Sequence, residues 1–421
     1  MLGPLCPGNA GGPPFDPAMM VCRLLYAYGV GVLSSRKSAL ACERPLAFLA
    51  MVGQERPEFR PISDFRQLPL EAFKDVFVHV VRLAGEMGLG RLGHVATDGT
   101  KSQGKASRHQ GMRDGYMQKA VERLREAIEA LVTQASQQAA AEEAARGSRR
   151  GEELPAAGAR REERLVQMEA AMRRWETQAK ADAQGERQRR VAAEAERERT
   201  GTPRRGQGPQ PVVEPPDAKA PSNLTEPALP LMRTNTKGWD YCGNAQASVD
   251  ATCQMILAGD VTDASNDQQQ AEPLAQATLA PLAHAGMERP PTETGEAPAL
   301  PATCENGYDS EAAVEALERV GCDPYSATER QRPQTPQAEV RAPPATAQER
   351  LAAKGRTPAG RALSARRKVI VEPVFGQSKA VRGFRRLLLR GLANSRGAWR
   401  WVGVTHNLLK LWRSGCALNT V

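Results

Sequence analysis

The sequence predicts a mixed α/β protein in which helices flank one sheet. Short apolar runs bounded by turn residues indicate strands at 92–98, at 239–262, before Glu305 and at 324–327. Apolar residues at helical spacing lie between these runs, for example over 310–320. A long stretch rich in Ala, Glu and Arg interrupts the series, so we expect the sheet domain to carry a helical insertion.

Residues 1–89 are predicted to form a helical N-terminal domain. Met20, Leu24 and Tyr28 recur at the spacing of one helix face, and residues 73–83 repeat that pattern. Gly and Pro residues punctuate the region, which favours three or four helices.

The start of the chain is Gly- and Pro-rich and lacks the charged start and apolar run of a secretory signal. The longest apolar runs fall short of the roughly 20 residues that a membrane helix needs. We therefore expect a cytoplasmic protein that does not bind membranes.

The first strand of the sheet is predicted within residues 90–110, with Asp98 at its C-terminal end. Residues 111–200 repeat apolar positions every three or four residues on both sides of a break that contains Gly and Pro. That pattern predicts two helices paired as an antiparallel coiled coil, and a pair of partly disordered, solvated helices is the alternative. Residues 201–230 are Pro-rich and are expected to be a linker.

The sheet domain is expected to continue over 231–330 with a hairpin that turns at Asp250-Ala251-Thr252. A Pro-rich loop over 331–348 precedes a basic C-terminal segment, 349–421. Further helices are predicted from about Asp267 to Ala285, from Ser310 to Val320, and from about Ala365 to Leu392 with Pro373 near its first turns.

Neither zinc binding nor a disulfide framework is expected. The chain has 8 Cys and 5 His, but no two cysteines form a CxxC pair and the histidines do not cluster near them. A chain of this size without an export signal is not typical of disulfide scaffolds. We interpret the thiols as reduced packing residues.

Positive charge is concentrated in the last part of the chain. Residues 350–421 contain 16 Lys or Arg and one acidic residue, Glu372, which gives this segment a net charge of +15. The whole chain carries only +9, so the rest is acidic overall. Such asymmetry indicates a polyanionic partner bound mainly by the C-terminal segment, although a solvated basic surface is the alternative.

Three carboxylates occupy positions that suit metal chemistry. Asp98 and Glu305 each end a predicted strand, and Glu372 lies on a long helix with basic neighbours. Such a set can hold two Mg²⁺ or Mn²⁺ ions, which stabilise the entering and leaving oxygens of a phosphodiester displacement. Taken singly, each residue is more often a turn, cap or solvated carboxylate.

Five segments follow one another in a fixed order. They are PPFDPAMMVCRLLYAYGVGVLSSRK, GHVATDGTK followed by ASRH, GWDYCGNAQASVD followed by AGDVTDASNDQQQ, NGYDSEAAVEAL followed by DPYSAT, and RRKVIVEPVFGQSKAVRGFRRLLLRGL followed by HNLLKLW. Together they resemble bacterial insertion-sequence transposases of the DDE type. The resemblance is to the IS4/IS5-like superfamily, in its subgroup with a DGTK first-aspartate motif and a VEPVFGQ glutamate helix. It covers about 15–112, 222–330 and 350–413.

The resemblance implies a ribonuclease-H-like catalytic domain that uses Mg²⁺ or Mn²⁺, beside the helical N-terminal domain and the coiled-coil insertion. Carried over residue by residue, Asp98, Glu305 and Glu372 are the catalytic, metal-binding acids. The implied partner is double-stranded DNA, both the terminal inverted repeats and the target, bound by a homodimer in a nucleoid-associated location. The candidate phosphate contacts are Lys101, Lys379, Arg382, Arg385, Arg386 and Arg390.

Three departures from the pattern point to a decayed or truncated gene copy. The group has Asp where this chain has Glu305, and often has Tyr where it has Ser364. The group also carries a few dozen residues before the PPFDP segment, where this chain has MLGPLCPGNAGG.

Three interpretations therefore compete. In an active transposase, water attacks a phosphodiester at the element end, and the freed 3′-hydroxyl then attacks target DNA. A remnant of such an enzyme would bind terminal repeats without cutting them, and Glu305 is the residue that separates these two cases. A coiled-coil scaffold protein would account for residues 111–200 alone.

We expect the basic C-terminal segment to bind DNA mainly through phosphates, because of its excess of positive charge. Affinity should fall steeply as salt rises, since each neutralised phosphate releases counterions. Electrophoretic binding assays between low and physiological salt measure this dependence. An affinity that does not change with salt would contradict the assignment.

Overall fold

The structure is a computed structural model of the 421-residue chain. It describes residues 15–53, 55–67, 71–89, 93–106, 111–113, 118–130, 221–223, 228–234, 238–265, 270–284, 299–305, 310–326 and 346–414, with single residues between them and helical residues between 161 and 194. Predictions for the middle of the insertion (134–160), most of the linker (201–220) and the Pro-rich loop up to 345 lie outside the described residues. No helix in the described ranges is long and apolar enough to cross a membrane.

The described N-terminal residues are helical, as predicted, but form five helices where three or four were expected. They are α1 (Pro17–Gly29), α2 (Ser35–Ala41), α3 (Leu46–Val52), α4 (Phe59–Phe65) and α5 (Glu71–Glu86). Asp16 caps α1 by accepting the backbone N–H groups of Ala18 and Met19, both at 3.2 Å.

Eight strands are described. They are β1 (Val95–Gln103), β2 (Gly111–Arg113), β3 (Pro221–Asn223), β4 (Leu231–Arg233), β5 (Trp239–Asp250), β6 (Ile256–Thr262), β7 (Leu300–Cys304) and β8 (Cys322–Ser326). β2 and β3 form a small antiparallel sheet, and the other six form one mixed sheet. The predicted hairpin that turns after Asp250 is confirmed as β5 and β6.

Strand β1 lies at the centre of the six-stranded sheet. It pairs antiparallel with β5 from Val95↔Asp250 to Gln103↔Cys242. On its other edge it pairs parallel with β7, which in turn pairs parallel with β8. β6 pairs with the outer edge of β5, so the order of these strands is β6–β5–β1–β7–β8.

The remaining helices include one whose bounds differ from the prediction. They are α6 (Ala271–His284), α7 (Glu311–Arg319), α8 (Ala347–Arg356), α9 (Pro358–Gly376) and α10 (Leu392–Arg413). The single helix predicted over 365–392 is wrong at both ends. α9 begins early because Thr357 caps it and Pro358 fits the first turn. It runs into a π-helical turn, Gln377–Val381, and the chain then leaves helical conformation at Gly383, whose φ is +73°.

The chain divides into two compact units, residues 1–105 with 232–421 and residues 106–231. In the smaller unit, helical segments at 118–130 and 161–194 pack through the buried side chains of Val121 and Met168. Arg125 and Glu169 join the two segments by an ion pair of 2.6 Å. The domain boundaries and the coiled-coil character of this insertion stay predictions.

Alternation along β1 separates the two faces of the sheet. Val95 and Thr97 face a small apolar cavity that side chains of α6, α7, β7 and β8 also line. Asp98 and Thr100 point to the opposite face, where they contact α9 and the π-helical turn. The sheet is therefore enclosed by helices on both faces, as the α/β prediction requires.

A proline in α9 is matched by a glutamine in the β5–β6 turn. Pro373 has no N–H, so the carbonyl of Val369 four residues earlier lacks its helical donor. Gln254 supplies the missing donor, with Nε2 at 3.0 Å from the Val369 oxygen. Gln254 adopts φ +57°, a conformation that a residue other than glycine rarely holds without such constraints.

Helix α10 holds the same hairpin from another side. The side chain of Asn407 accepts from the Ile256 N–H at 2.8 Å and donates to the Ile256 carbonyl at 2.7 Å. The amide thus acts as an additional strand partner for β6. His406 lies at 2.9 Å from the Gln254 carbonyl through Nε2. The His-Asn pair of the HNLLKLW segment therefore fixes the end of the hairpin.

We expect Asn407→Ala to lower the free energy of unfolding by roughly 2–4 kcal/mol, because each buried backbone group left unpaired costs about 1–3 kcal/mol. Asn394→Ala is the matched control, since Asn394 lies on the same helix and donates to the exposed Arg390 carbonyl. It should change stability by less than about 0.5 kcal/mol. Urea unfolding of both variants measures the difference, and equal losses would contradict the role given to Asn407.

Candidate active site

Asp98 lies within β1, not at the end of the strand as predicted, because pairing with β5 continues to Gln103. Its carboxylate is held between two donors. Arg367 of α9 forms an ion pair with it, with Nη1 at 2.6 Å from Oδ2, and the Gly99 N–H donates to Oδ1 at 2.8 Å. The side chains of Asp98 and Arg367 are only 14% and 13% exposed, so the pair is largely shielded from water.

Glu305 directly follows β7, and the parallel register brings it to Asp98. Ala96 pairs with Thr303, so two residues further on each strand Asp98 and Glu305 are neighbours. The two side chains lie close enough for Glu305 to influence the titration of Asp98. Burial is the main cause that raises the pKa of Asp98 to about 6, and Glu305 raises it further while Arg367 lowers it.

Glu372 does not join this pair. It is exposed on α9, five residues after Arg367, and five residues correspond to about 140° around a helix. Arg367, not Glu372, is therefore the α9 side chain that reaches Asp98. Within the described ranges, no three His, Cys, Asp or Glu side chains group closely enough to hold a metal ion.

A further carboxylate lies above the opposite face of β1. Asp267 accepts hydrogen bonds from Asn244 and Gln246 of β5, both at 2.6 Å from Oδ1. A Cβ at Gly99 would lie 2.5 Å from Gln246 Nε2 and 2.9 Å from Asp267 Oδ1. Glycine at position 99 is therefore what lets this polar group approach the strand that carries Asp98.

Two predicted phosphate-binding lysines lie beside the carboxylates, and both are occupied by backbone oxygens. Lys101 donates to the Ser265 carbonyl at 2.8 Å, and Lys379 donates to the Lys101 carbonyl at 2.7 Å. Lys379 also donates to the Thr100 hydroxyl at 2.6 Å. Burial lowers the pKa of both lysines. In this conformation they fix the end of β1.

The predicted phosphate-binding arginines are divided between surface and interior. Arg385, Arg386 and Arg390 are exposed, and Arg386 donates to the Gln103 side chain at 2.9 Å. Arg382 is only 7% exposed, and burial lowers its pKa to about 10. Its guanidinium faces the Val402 carbonyl at 3.3 Å, so it is not accessible to a phosphate in this conformation.

Sequence reasoning missed four residues of this region. They are Arg367, Asn244, Gln246 and Asp267. Asn244 and Gln246 carry a usable signal, because two amides separated by one residue share one face of a strand made mostly of small residues. Arg367 carried no such signal among its basic neighbours, since only the position of α9 on the sheet singles it out.

We expect Glu305→Gln to lower the pKa of Asp98 from about 6, because it removes a like charge. A carboxyl whose pKa is raised in the folded state stabilises the protein when protonated, and that stability is lost as pH rises from about 4 to about 6. The variant should show a smaller loss over this range. Carboxyl NMR titration and unfolding at several pH values measure both effects.

Glu315→Gln on α7 is the control for this experiment and should leave the Asp98 titration unchanged. An unchanged pKa of Asp98 in Glu305→Gln would show that the two carboxylates do not interact in solution.

Comparison with known families adds an independent line of evidence. Residues 307–412 match the family model described as Transposase DDE domain, and residues 1–68 match the one described as Transposase domain (DUF772). No curated protein and no solved structure matches the chain. Glu372 lies inside the first match, whereas Asp98 and Glu305 lie outside both. The N-terminal and C-terminal parts of the chain are therefore each similar to a transposase domain, and the C-terminal part is similar to one of the DDE type.

Proposed function

We propose that this chain is the transposase of a bacterial insertion sequence, which hydrolyses phosphodiesters at the element ends and transfers the freed strands to target DNA. The contact between Asp98 and Glu305 on adjacent parallel strands carries the proposal. It joins two acids that are 207 positions apart in the sequence, in a chain whose C-terminal part matches a DDE domain.

A ribonuclease-H-like catalytic domain is part of this proposal. Its support is the strand order, with an antiparallel β1–β5–β6 meander on one side of β1 and the parallel strands β7 and β8 on the other. This order brings an acid on the central strand and an acid after its parallel neighbour to one place. Assignment to the IS4/IS5-like superfamily rests on the DGTK and VEPVFGQ motifs.

The donor chemistry of the site fits a divalent metal ion in part. Carboxylate oxygens are the ligands that Mg²⁺ and Mn²⁺ prefer, and two carboxylates forced together are stabilised by a cation between them. Asp98 and Glu305 would hold the ion, and we propose Glu372 as the third ligand. When bound, such ions stabilise the entering and leaving oxygens of phosphodiester displacement.

The chain's own residues set the conditions for that chemistry. Arg367 neutralises Asp98, so the ion pair must loosen before Asp98 can serve as a metal ligand. Glu372 needs a rotation or shift of α9 to approach the pair, because it is exposed on that helix. A single movement of α9 would change both contacts, so we propose that DNA binding moves this helix.

Glu305 decides between an active enzyme and an inactive remnant that only binds DNA. It is one methylene longer than Asp, which displaces its carboxylate by roughly 1.5 Å. Mg²⁺ demands near-octahedral geometry and tolerates such displacement poorly. The remnant is the second candidate function, and the displaced second acid is the observation that favours it.

Terminal inverted repeats and target DNA are the proposed substrates, bound by a homodimer at the bacterial nucleoid. The exposed side chains of Arg385, Arg386 and Arg390 support phosphate contacts near the end of β1.

Restoring aspartate tests the function directly. We expect Glu305→Asp to raise metal-dependent nicking of DNA that carries the element's own ends by at least about 10-fold. A misplacement of about 1 Å at a catalytic centre can lower the rate by on the order of 10²-fold, and we expect the shorter side chain to recover part of that loss. The wild type should cleave weakly with Mg²⁺ and better with Mn²⁺. The assay compares both proteins at matched concentrations, with DNA binding measured in parallel.

Asp98→Asn in the Glu305→Asp background is the control and should abolish nicking while DNA binding remains. Equal nicking by wild type and Glu305→Asp would show that Glu305 is harmless or is not a ligand. Binding without nicking in either protein would favour the inactive remnant, and absence of DNA binding would refute both candidate functions.

A further inference from the structure

A cleft of about 400 Å³ opens between the β5–β6 turn and helices α9 and α10. The turn contributes residues 251–255 to its wall. Val369 and Ile370 of α9 contribute an apolar side. None of the acids or lysines proposed for the active site lines this cleft, so it is a separate feature of the surface.

Three cations line the cleft, Arg366 from α9 and Lys410 and Arg413 from α10. Its described lining includes no Asp or Glu. Across the part of the chain that the structure describes, none of the three takes part in an ion pair, and Lys410 instead donates to Gln254 Oε1 at 3.1 Å. Three basic side chains thus converge on one concave surface without an acidic partner.

The acid nearest in sequence to the turn does not neutralise these cations. Asp250 is fully buried beneath the turn, where its Oδ2 accepts the N–H groups of Thr252 and Cys253 at 3.0 and 2.8 Å. Burial raises the pKa of Asp250, whereas the hydrogen bonds from Cys253 and Thr252 lower it. The cleft therefore remains positive.

Two histidines near the cleft have lowered pKa values, and the positive charge of the cleft contributes to the lowering. Burial is the main cause that lowers the pKa of His406 to about 4, and Arg382, Lys410 and Arg413 lower it as well. Burial likewise lowers the pKa of His94 to about 4, with Arg366 as a further cause. Both imidazoles are neutral at physiological pH, so they add no charge.

The wall of the cleft is fixed by the contacts that hold the hairpin. Gln254 joins the turn to α9 through Val369 and to α10 through Lys410 and His406. The cations therefore project from two helices that are tied to one turn. Such a framework presents charges at set positions, which reduces the conformational cost of binding an anion.

We propose that this cleft binds a phosphodiester group of the DNA on which the enzyme acts, away from the reacting phosphate. This inference rests on the proposed function, because the phosphate would belong to the DNA that the transposase cuts. Several cations around an acid-free cleft suit a phosphate, and the apolar side formed by Val369 and Ile370 suits the sugar.

The position of the cleft fits one DNA strand that also reaches Asp98. Arg366 lines the cleft, and the next residue, Arg367, contacts Asp98. His94 lies close to Arg366 and is four residues before Asp98, which is about 13 Å along an extended strand. The bound phosphate is therefore expected within a few nucleotides of the reacting one.

The first test compares DNA affinity and its salt dependence in four proteins: wild type, Arg413→Gln, the double variant Arg366→Gln/Arg413→Gln, and Arg361→Gln. Arg361 is the matched control, because it is an exposed arginine on α9 that lies about 140° around the helix from Arg366. The double variant should reduce the slope of log affinity against log salt by about 0.9, because the cleft neutralises one phosphate. Arg361→Gln should match the wild type.

The second test locates the bound DNA by alkylation of Cys253, which lines the cleft, with the exposed Cys22 as an internal reference. Duplex DNA should slow alkylation of Cys253 several-fold relative to Cys22, and inorganic phosphate at the same phosphate concentration should not. Protection should be lost in the double variant. Arg413→Lys, which keeps the charge, should restore protection relative to Arg413→Gln, and thermal melting should confirm that all variants are folded.

The outcomes separate the inference from the proposed function. One outcome would overturn the inference but not the proposed function. In it, the wild type binds DNA with strong salt dependence and the cleft variants bind equally well. Protection of Cys253 by inorganic phosphate alone would show a small-anion pocket and would also overturn it. Wild type that binds no DNA would overturn both.

Discussion

The parallel pairing of β1 with β7 is the constraint on which the rest of the site depends. It sets Asp98 beside Glu305 and leaves both acids on the side that α9 covers. Two carboxylates this close repel each other unless a proton or a cation lies between them. Arg367 provides such a cation from the helix. The fold therefore tolerates its acids without any bound ion.

Much of the sheet could be predicted from the sequence, because strand and hairpin signals are local. The β5–β6 hairpin, the strand before Glu305 and α7 with its Ser310 cap all follow from alternation, turn residues and capping chemistry. The pairing of Asp98 with Glu305 was expected only from the family resemblance. Local sequence patterns do not predict the register between two strands that a long insertion separates.

The C-terminal helices show where local reasoning fails. The sequence around Pro373 has helical periodicity on both sides, and a proline is usually interpreted as belonging to the start of a helix. Here a tertiary contact compensates for it, since Gln254 takes the carbonyl that Pro373 leaves without a donor. The same helix turns Glu372 outward and Arg367 inward, a difference of rotation that charge patterns in the sequence do not encode.

The π-helical turn at Gln377–Val381 has a consequence for how this segment can change in length. The Arg382 N–H bonds the Gln377 carbonyl, five residues back instead of four, so the turn contains one residue more than an α-helix would. Deleting a single residue there would let the helix continue regularly but would rotate everything after it by about 100°. Lys379 would leave Thr100, and Phe384 would leave its place against Trp399. The turn therefore sets the phase between α9 and the C-terminal segment, so a change in its length would disturb the contacts of both.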